Sequence, residues 1–227
     1  MTGATTAMTS TWLALAALGA GHGLNPGMGW LFAVALGMQD GRARAVWRAL
    51  PPLALGHALA VGVAVLAAAA LGRLLPAEAV EWIVGGLLLG LGVMRLLRHR
   101  HPRYGGMRVG FRELTTWSFL MATAHGAGLM VLPLLVGHPG GLGGDPGVPG
   151  PHATHFARAS VLPVSDHLGA GLGATAMHSA GYLLVTGLIA VVVYRKLGLR
   201  MLRTLWFNLD LIWGGALIVT GVLTLAL

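Results

Sequence analysis

Four histidines lie inside long apolar stretches of this sequence, where an ionisable side chain is costly to bury. They are His22, His57, His125 and His178. Such residues usually face the interior of a helix bundle or a water-filled cavity. Neutral imidazole suits Ni²⁺, Co²⁺, Zn²⁺ and Cu²⁺, and because it titrates near neutrality it can also carry protons. A single buried histidine is explained by an interhelical hydrogen bond, whereas four, two in each half of the chain, favour a metal- or proton-binding centre.

The segment from His22 to Gly27 is the most informative short stretch. Pro26 has no amide hydrogen, so the carbonyl group of His22 is expected to lose its hydrogen-bond partner within a helix. Since His22 and Asn25 are three residues apart, the imidazole, the amide and this carbonyl are predicted to share one face of a helix broken at Pro26 and Gly27. Broken helices often hold the substrate or ion sites of transporters, and the alternative is a proline kink that a neighbouring helix repairs. In the second half of the chain, Pro133 is predicted to break the corresponding helix.

Composition narrows the range of ligands. The chain has no Cys, which excludes disulfides, thiolate metal sites and dithiol electron relays. No carboxylate lies deep in an apolar stretch, which disfavours Ca²⁺ and Mg²⁺. Glu81 and Asp210 lie at the ends of such stretches, where they either relay protons or cap their helices, and capping is favoured. The sequence therefore predicts no catalytic centre and no resident cofactor beyond a bound transition-metal ion.

The apolar stretches themselves predict an all-α integral membrane protein. Hydrophobic residues make up 56% of the chain and charged residues 10%, which is too apolar for a soluble domain of this size. A helix needs about 20 mostly apolar residues to cross a bilayer. Six stretches suit this role, at residues 10–37, 51–72, 80–97, 114–137, 168–193 and 209–227. We therefore predict six transmembrane helices.

Basic residues alternate between the connections of these six helices. Arg and Lys are frequent in residues 38–50, 95–113 and 194–208, and scarce in residues 73–79 and 138–167. The positive-inside rule then places both termini outside the cytoplasm. The net charge of +8 is thus explained by topology, and a nucleic-acid partner is not expected. The composition, rich in Arg, Ala and Gly, is typical of a GC-rich bacterial genome, so we expect a multi-pass protein of the bacterial inner membrane.

Residues 138–167 are rich in Gly, Pro and His, and predict an exposed outer loop without a long helix or strand. The loop carries His138, His152, His155 and His167. It either captures cations at low affinity before transport or is a polar linker. The linker is favoured, because histidines on a flexible segment seldom form a defined site.

The two halves of the chain repeat one order of residues, which is His, then His, then an acid followed by Gly-Gly. In the third and sixth apolar stretches, Glu81 precedes Gly85-Gly86 at the same spacing as Asp210 precedes Gly214-Gly215. We therefore predict two three-helix repeats, residues 1–113 and 114–227. Because three is an odd number, the second repeat enters the membrane from the opposite side. Inverted repeats of this kind are used by transporters whose site lies at the repeat interface.

With two inverted three-helix halves, a polar motif in the first span and a long middle connection, the chain resembles the lysine-exporter superfamily of membrane transporters. That superfamily includes amino-acid exporters and nickel/cobalt exporters, and the resemblance covers the whole chain as architecture. The His-x4-Asp-His run of the nickel/cobalt branch and the membrane cysteines of the thiol-relay branch are absent from this sequence. The resemblance implies a transporter whose centre is lined by His22, Asn25, His57, His125 and His178.

These features together favour a secondary transporter, coupled to protons, that moves a small solute. A divalent transition-metal cation of the Ni, Co or Zn type is favoured as the solute, and a homo-oligomer is compatible with the pattern. Three alternatives stay open at this point. They are an exporter of an amino acid or another organic solute, a membrane protein that binds haem through paired histidines, and a membrane subunit that recruits a partner without transporting anything.

Overall fold

The computed structural model describes residues 2–75, 77–97, 109–136, 164–197 and 202–226. Most of the predicted loop at 138–167 and the side chains of Glu81 and Asp210 lie outside the described residues. The described helices are α1 (Thr2–Leu24), α2 (Trp30–Asp40), α3 (Ala43–Leu74), α4 (Ala77–Leu97), α5 (Phe111–Ala124), α6 (Ala127–Val136), α7 (Val164–Val192) and α8 (Leu202–Ala226). A 3₁₀ turn, Pro26–Met28, joins α1 to α2, and a π-helical turn, Val193–Leu197, extends α7.

The described part of the chain is helical and contains segments that could cross a membrane. Two segments are long and apolar enough to do so, Ala43–Leu71 in α3 and Gly169–Lys196 in α7. The pair α5 and α6, bent by 56° at its break, would add a third span if it crosses as one unit. Shorter apolar helices occupy Trp82–Met94 and Trp213–Ala226. The predicted all-helical class is confirmed for these residues, and two or three candidate spans are present among them.

The first apolar stretch, predicted as one span over residues 10–37, is divided into α1, the 3₁₀ turn and α2. The predicted break at Pro26 and Gly27 is confirmed, and the side chain of Asn25 begins the turn by accepting a hydrogen bond from the Gly27 amide at 2.9 Å. The His22 carbonyl, which has no amide partner at Pro26, finds another partner. The Asn25 amide donates to that carbonyl at 3.2 Å, because a tighter turn replaces the hydrogen bond that Pro26 removes.

The predicted break at Pro133 is also wrong. Helix α6 continues from Ala127 to Val136 with Pro133 inside it. The chain bends instead at His125 and Gly126, and Gly126 has φ +68°, a left-handed conformation that favours glycine. The second half is therefore broken close to its histidine, as the first half is, and the residue responsible is a glycine.

Several helices begin earlier than predicted, α1 at Thr2 instead of residue 10 and α8 at Leu202 instead of residue 209. Helix α3 begins at Ala43, eight residues before the predicted start at residue 51, and runs through Pro51 and Pro52. Its first turns carry the exposed Arg44 and Arg48. This amphipathic part of the helix is therefore not a continuous run of apolar residues, and the prediction from hydrophobicity begins after it. Helix α7 begins at Val164, so the last four residues of the predicted loop at 138–167 are helical.

Helix α1 packs on α7 and α3 packs on α5 with backbones in close contact. A Cβ atom added at Gly19 would overlap the carbonyl oxygen of His178, and one added at Gly181 would overlap the carbonyl oxygen of Ala16. Gly56 of α3 likewise faces the carbonyl oxygen of Thr115 in α5. Small residues at helix crossings allow this close approach, which is typical of membrane helices.

Helices α4 and α8 contact one another through reciprocal glycine–leucine pairs. A Cβ atom at Gly85 would lie 2.5 Å from Leu225, and one at Gly214 would lie 2.8 Å from Leu96. Gly214 lies 129 positions after Gly85 in the sequence, and Leu225 lies 129 positions after Leu96, so each residue of one pair has its counterpart in the other. Gly92 with Ile218 and Gly221 with Leu89 form a second reciprocal set at the same offset. The contact surface of α4 is thus repeated on α8.

A buried three-histidine cluster

The structure brings His22, His57 and His178 into mutual contact. Their ring centroids are 5.8 Å apart for His22 and His57, 5.1 Å for His22 and His178, and 5.2 Å for His57 and His178. Each ring comes from a different helix, α1, α3 or α7. All three residues are 0% exposed. Side chains that are 156 positions apart in sequence therefore form one compact group, which we call the histidine cluster.

The backbone contacts explain why these rings meet. The contact between Gly19 and the His178 carbonyl brings α7 against the last turns of α1, which carry His22. Helix α3 is positioned by α5, because the Ser118 hydroxyl donates a hydrogen bond to the Leu53 carbonyl at 2.6 Å. His57 lies one turn beyond Leu53 and so projects from a fixed part of α3.

Most nitrogen atoms of the histidine cluster have no hydrogen-bond partner among the described residues. Nδ1 of His22 donates to the Leu18 carbonyl at 2.9 Å, which leaves the Nε2 lone pair of that ring available. This Nε2 atom and both ring nitrogens of His57 and His178 are buried and unpaired within the described structure. The Leu15 carbonyl lies near His178, but outside hydrogen-bonding geometry. Buried polar atoms are normally satisfied, so this concentration indicates a ligand site.

Two aromatic side chains enclose the histidine cluster. The Tyr182 ring stacks on His57 with centroids 3.9 Å apart and an interplanar angle of 9°. The Trp213 ring lies against His22 at 4.5 Å. Neither residue is among the site residues predicted from the sequence. The signal for Tyr182 was its position four residues after His178 on one helix face, and Trp213 directly precedes the Gly214-Gly215 pair.

The other predicted site residues lie at the two helix breaks. Asn25 is 4% exposed, and its Nδ2 atom has no partner within the described residues. His125 is buried at the end of α5, and its Nδ1 donates to the Met121 carbonyl at 2.8 Å. This repeats the bond from His22 to the carbonyl four residues earlier. The Met121 methyl would lie 3.4 Å from a Cβ atom at Gly27, so the end of α5 faces the first break.

The ring separations are compatible with a shared cation, but the ring orientations are not yet suited to it. Three imidazoles that bind one ion at metal–nitrogen distances of about 2.0–2.1 Å have ring centroids about 5 Å apart. As the described side chains stand, no group of three or more His, Cys, Asp or Glu residues is arranged to hold a metal ion. Metal binding at the histidine cluster therefore requires the imidazoles to turn.

Haem does not fit between these three rings. Two axial imidazoles bind opposite faces of a haem, so the macrocycle has to separate them. The three rings of the histidine cluster instead contact one another at 5.1–5.8 Å, and His57 is also covered by Tyr182. The cluster is thus suited to a ligand small enough to be enclosed by side chains.

Comparisons with protein-family models, curated proteins and solved structures found no match to this chain. The resemblance to the lysine-exporter superfamily therefore stays a prediction from architecture. Function has to be argued from the histidine cluster and the helices that carry it.

Replacing His57 with Phe is expected to stabilise the ion-free protein. Phe keeps the stack on Tyr182 and removes two buried unpaired nitrogens, whose burial costs about 1–3 kcal/mol. We expect the free energy of unfolding in detergent to rise by about 1 kcal/mol. Ser118→Ala is the control of opposite sign, because it removes the hydrogen bond to Leu53 and should lower stability by a similar amount. A large loss of stability in His57→Phe would contradict the view that this ring is held for binding.

Proposed function

We propose that this chain is a membrane transporter that binds a divalent transition-metal cation of the Ni²⁺, Co²⁺ or Zn²⁺ type at His22, His57 and His178. The observation that carries the proposal is the set of three fully buried, mutually contacting imidazoles with unpaired nitrogens. Burying unpaired polar atoms is costly, and a cation bound by those atoms would offset that cost. An ionisable residue that is buried within a membrane-spanning helix is a functional-site hypothesis by default.

The donor atoms favour a transition metal over other cations. Imidazole nitrogen is a borderline ligand that binds Ni²⁺, Co²⁺ and Zn²⁺ well, whereas Ca²⁺ and Mg²⁺ require oxygen. The bond from His22 Nδ1 to the Leu18 carbonyl supports the same choice. Metal-binding histidines commonly donate their second nitrogen to a backbone carbonyl, which fixes the tautomer and directs the other nitrogen at the ion.

The position of the cluster supports transport rather than a static metal site. His57 and His178 belong to the two helices that, among the described residues, are each long and apolar enough to cross a membrane. His22 lies in the last turn of α1, just before the break to α2, and His125 lies at the break between α5 and α6. Transporters place substrate and ion sites beside such discontinuous helices, whose halves can move relative to one another.

The packing pattern supports the predicted inverted duplication. In each half, the helix that begins the first predicted span packs on the second predicted span of the other half. Helix α1 packs on α7 in this way, and α5 packs on α3. The reciprocal contacts of α4 and α8 at a constant offset of 129 residues fit the same pseudo-symmetry. We therefore propose six spans as two inverted three-helix repeats, with the histidine cluster at their interface and both termini outside the cytoplasm of a bacterium.

Proton coupling follows from the same nitrogens. A nitrogen that binds a metal ion can bind a proton instead, so ion binding and protonation compete at each ring. Exchange of a cation for protons at the histidine cluster would couple their movements in opposite directions. His125 repeats the backbone hydrogen bond of His22, and we propose that it and Asn25 line the path beside the cluster.

An exporter of amino acids or related organic solutes is the second candidate. The buried Nδ2 donor of Asn25, which is unpaired within the described structure, favours it because such a donor suits a carboxylate or carbonyl group. The two candidates differ in whether flux depends on a metal ion.

Wild-type protein in sealed lipid vesicles is expected to take up radioactive Co²⁺ or Ni²⁺ in a saturable manner that a pH gradient accelerates. His57→Phe should remain folded, and its rate of uptake should fall at least about tenfold. Removing one of three ligands typically lowers the affinity for the metal ion by that factor or more. Thr224→Val, which alters a buried hydroxyl on α8, is the control that should transport normally. Wild-type flux in His57→Phe would contradict the proposal, and amino-acid flux without metal would support the second candidate.

A reporter enzyme that is active only outside the cytoplasm should be active when fused after Leu227. The same reporter fused after Gly105, within the strongly basic connection, should be inactive because that connection is predicted to be cytoplasmic. Green fluorescent protein at the two positions provides the reciprocal control. Equal activity at both positions would contradict the proposed six-span topology.

A further inference from the structure

We infer that Tyr182 is a positioning residue that couples ion binding at the histidine cluster to movement of the broken first span. This inference rests on the proposed function. Tyr182 contacts the cluster with its ring and the break between α1 and α2 with its hydroxyl group.

The hydroxyl of Tyr182 holds the 3₁₀ turn in place. It donates a hydrogen bond of 2.6 Å to the carbonyl oxygen of Met28, 154 positions away in sequence. The hydroxyls of Ser118 and Thr186 lie around the same phenol group. Both Tyr182 and Met28 are 1% exposed or less, so water does not compete for this hydrogen bond. A short hydrogen bond in a dry interior gives the contact a defined geometry.

Gly29 shows how closely the phenol is packed against the turn. Its φ angle is +138°, and a Cβ atom there would lie 3.1 Å from the Tyr182 hydroxyl oxygen and 2.7 Å from Leu53. There is no room for a side chain between the turn and Tyr182. A displacement of the phenol is therefore transmitted to the start of α2 by direct contact as well as through the hydrogen bond.

The ring of Tyr182 controls the orientation of His57. It covers one face of that imidazole at 3.9 Å, almost parallel to it. The described imidazoles do not converge on a metal ion as they stand, so at least one ring has to turn for the cluster to bind one, and His57 has two unpaired nitrogens to present to it. Turning His57 either breaks its stack on Tyr182 or carries the phenol with it. In both cases the interaction between Tyr182 and Met28 is disturbed.

Ion binding and the hydrogen bond to Met28 therefore oppose each other. In the ion-free arrangement Tyr182 holds His57 against its ring and fixes the turn between α1 and α2. When a cation draws His57 toward it, the phenol releases the Met28 carbonyl and the two halves of the first span become free to move. A ligand can shift a conformational equilibrium in this way only if it binds one state better than the other, and the orientation of His57 provides that difference.

The variant Tyr182→Phe separates the hydrogen bond from the stack. Phe retains the ring on His57 and removes the hydroxyl, so the ion-free arrangement loses its hold on Met28. We expect the purified variant to bind Co²⁺ about 3- to 10-fold more tightly than wild type in a titration followed by visible absorption. A merely structural role for Tyr182 would weaken binding or leave it unchanged. Tyr194→Phe in the π-helical turn is the matched control and should bind as wild type does.

A measurement on the wild-type protein tests the same inference without relying on the fold of a variant. Hydrogen–deuterium exchange in peptides that cover residues 25–33 should become faster when Co²⁺ saturates the protein. Equal or weaker Co²⁺ affinity in Tyr182→Phe, or exchange that is unchanged or slower with Co²⁺, would overturn the role of Tyr182. Failure of wild-type protein to bind Co²⁺ at all would instead overturn the proposed function.

Discussion

The close backbone contact between α1 and α7 is the constraint on which the rest of the site depends. Gly19, Gly23 and Gly181 leave no space for side chains, because a Cβ atom at each would collide with backbone of the other helix. That contact brings the ring centroids of His22 and His178 to 5.1 Å from each other and places Tyr182 beside the turn at Met28. Any larger residue at the crossing would separate the two helices, and the cluster would lose its shape.

The interior that this contact creates is polar at its centre and apolar around it. Leu15, Met28, Val61 and Ala174 form one buried apolar core with Tyr182 and Trp213, the two side chains that contact the histidine cluster. Such a core excludes water from the imidazoles, so their nitrogens must pair with protein groups or with a ligand. The protein satisfies one of them through the Leu18 carbonyl and leaves others in the described cluster unpaired. Binding sites often retain a local cost of this kind in return for function.

Local chemistry made part of this site predictable from sequence, and long-range packing determined the rest. The break at Pro26 follows from the amide hydrogen that proline lacks. The burial of the four histidines follows from the apolar residues around them in the sequence. The sequence points to Pro133 for the second break because proline is a visible signal, whereas a left-handed Gly126 is not marked by its residue type. Tyr182 and Trp213 could not be assigned to the cluster, since aromatic residues in apolar helices usually pack in the core. The position of His125 relative to the cluster and the roles of Glu81 and Asp210 stay predictions.

X-ray absorption spectroscopy of detergent-purified protein loaded with one equivalent of Ni²⁺ or Co²⁺ tests the central claim most directly. If His22, His57 and His178 bind the ion together, the spectrum should show a first shell of nitrogen and oxygen atoms. Its outer-shell scattering should fit three imidazoles in wild type and two in His57→Phe. A spectrum without imidazole scattering, or one that is identical in wild type and His57→Phe, would contradict a shared cation at the histidine cluster.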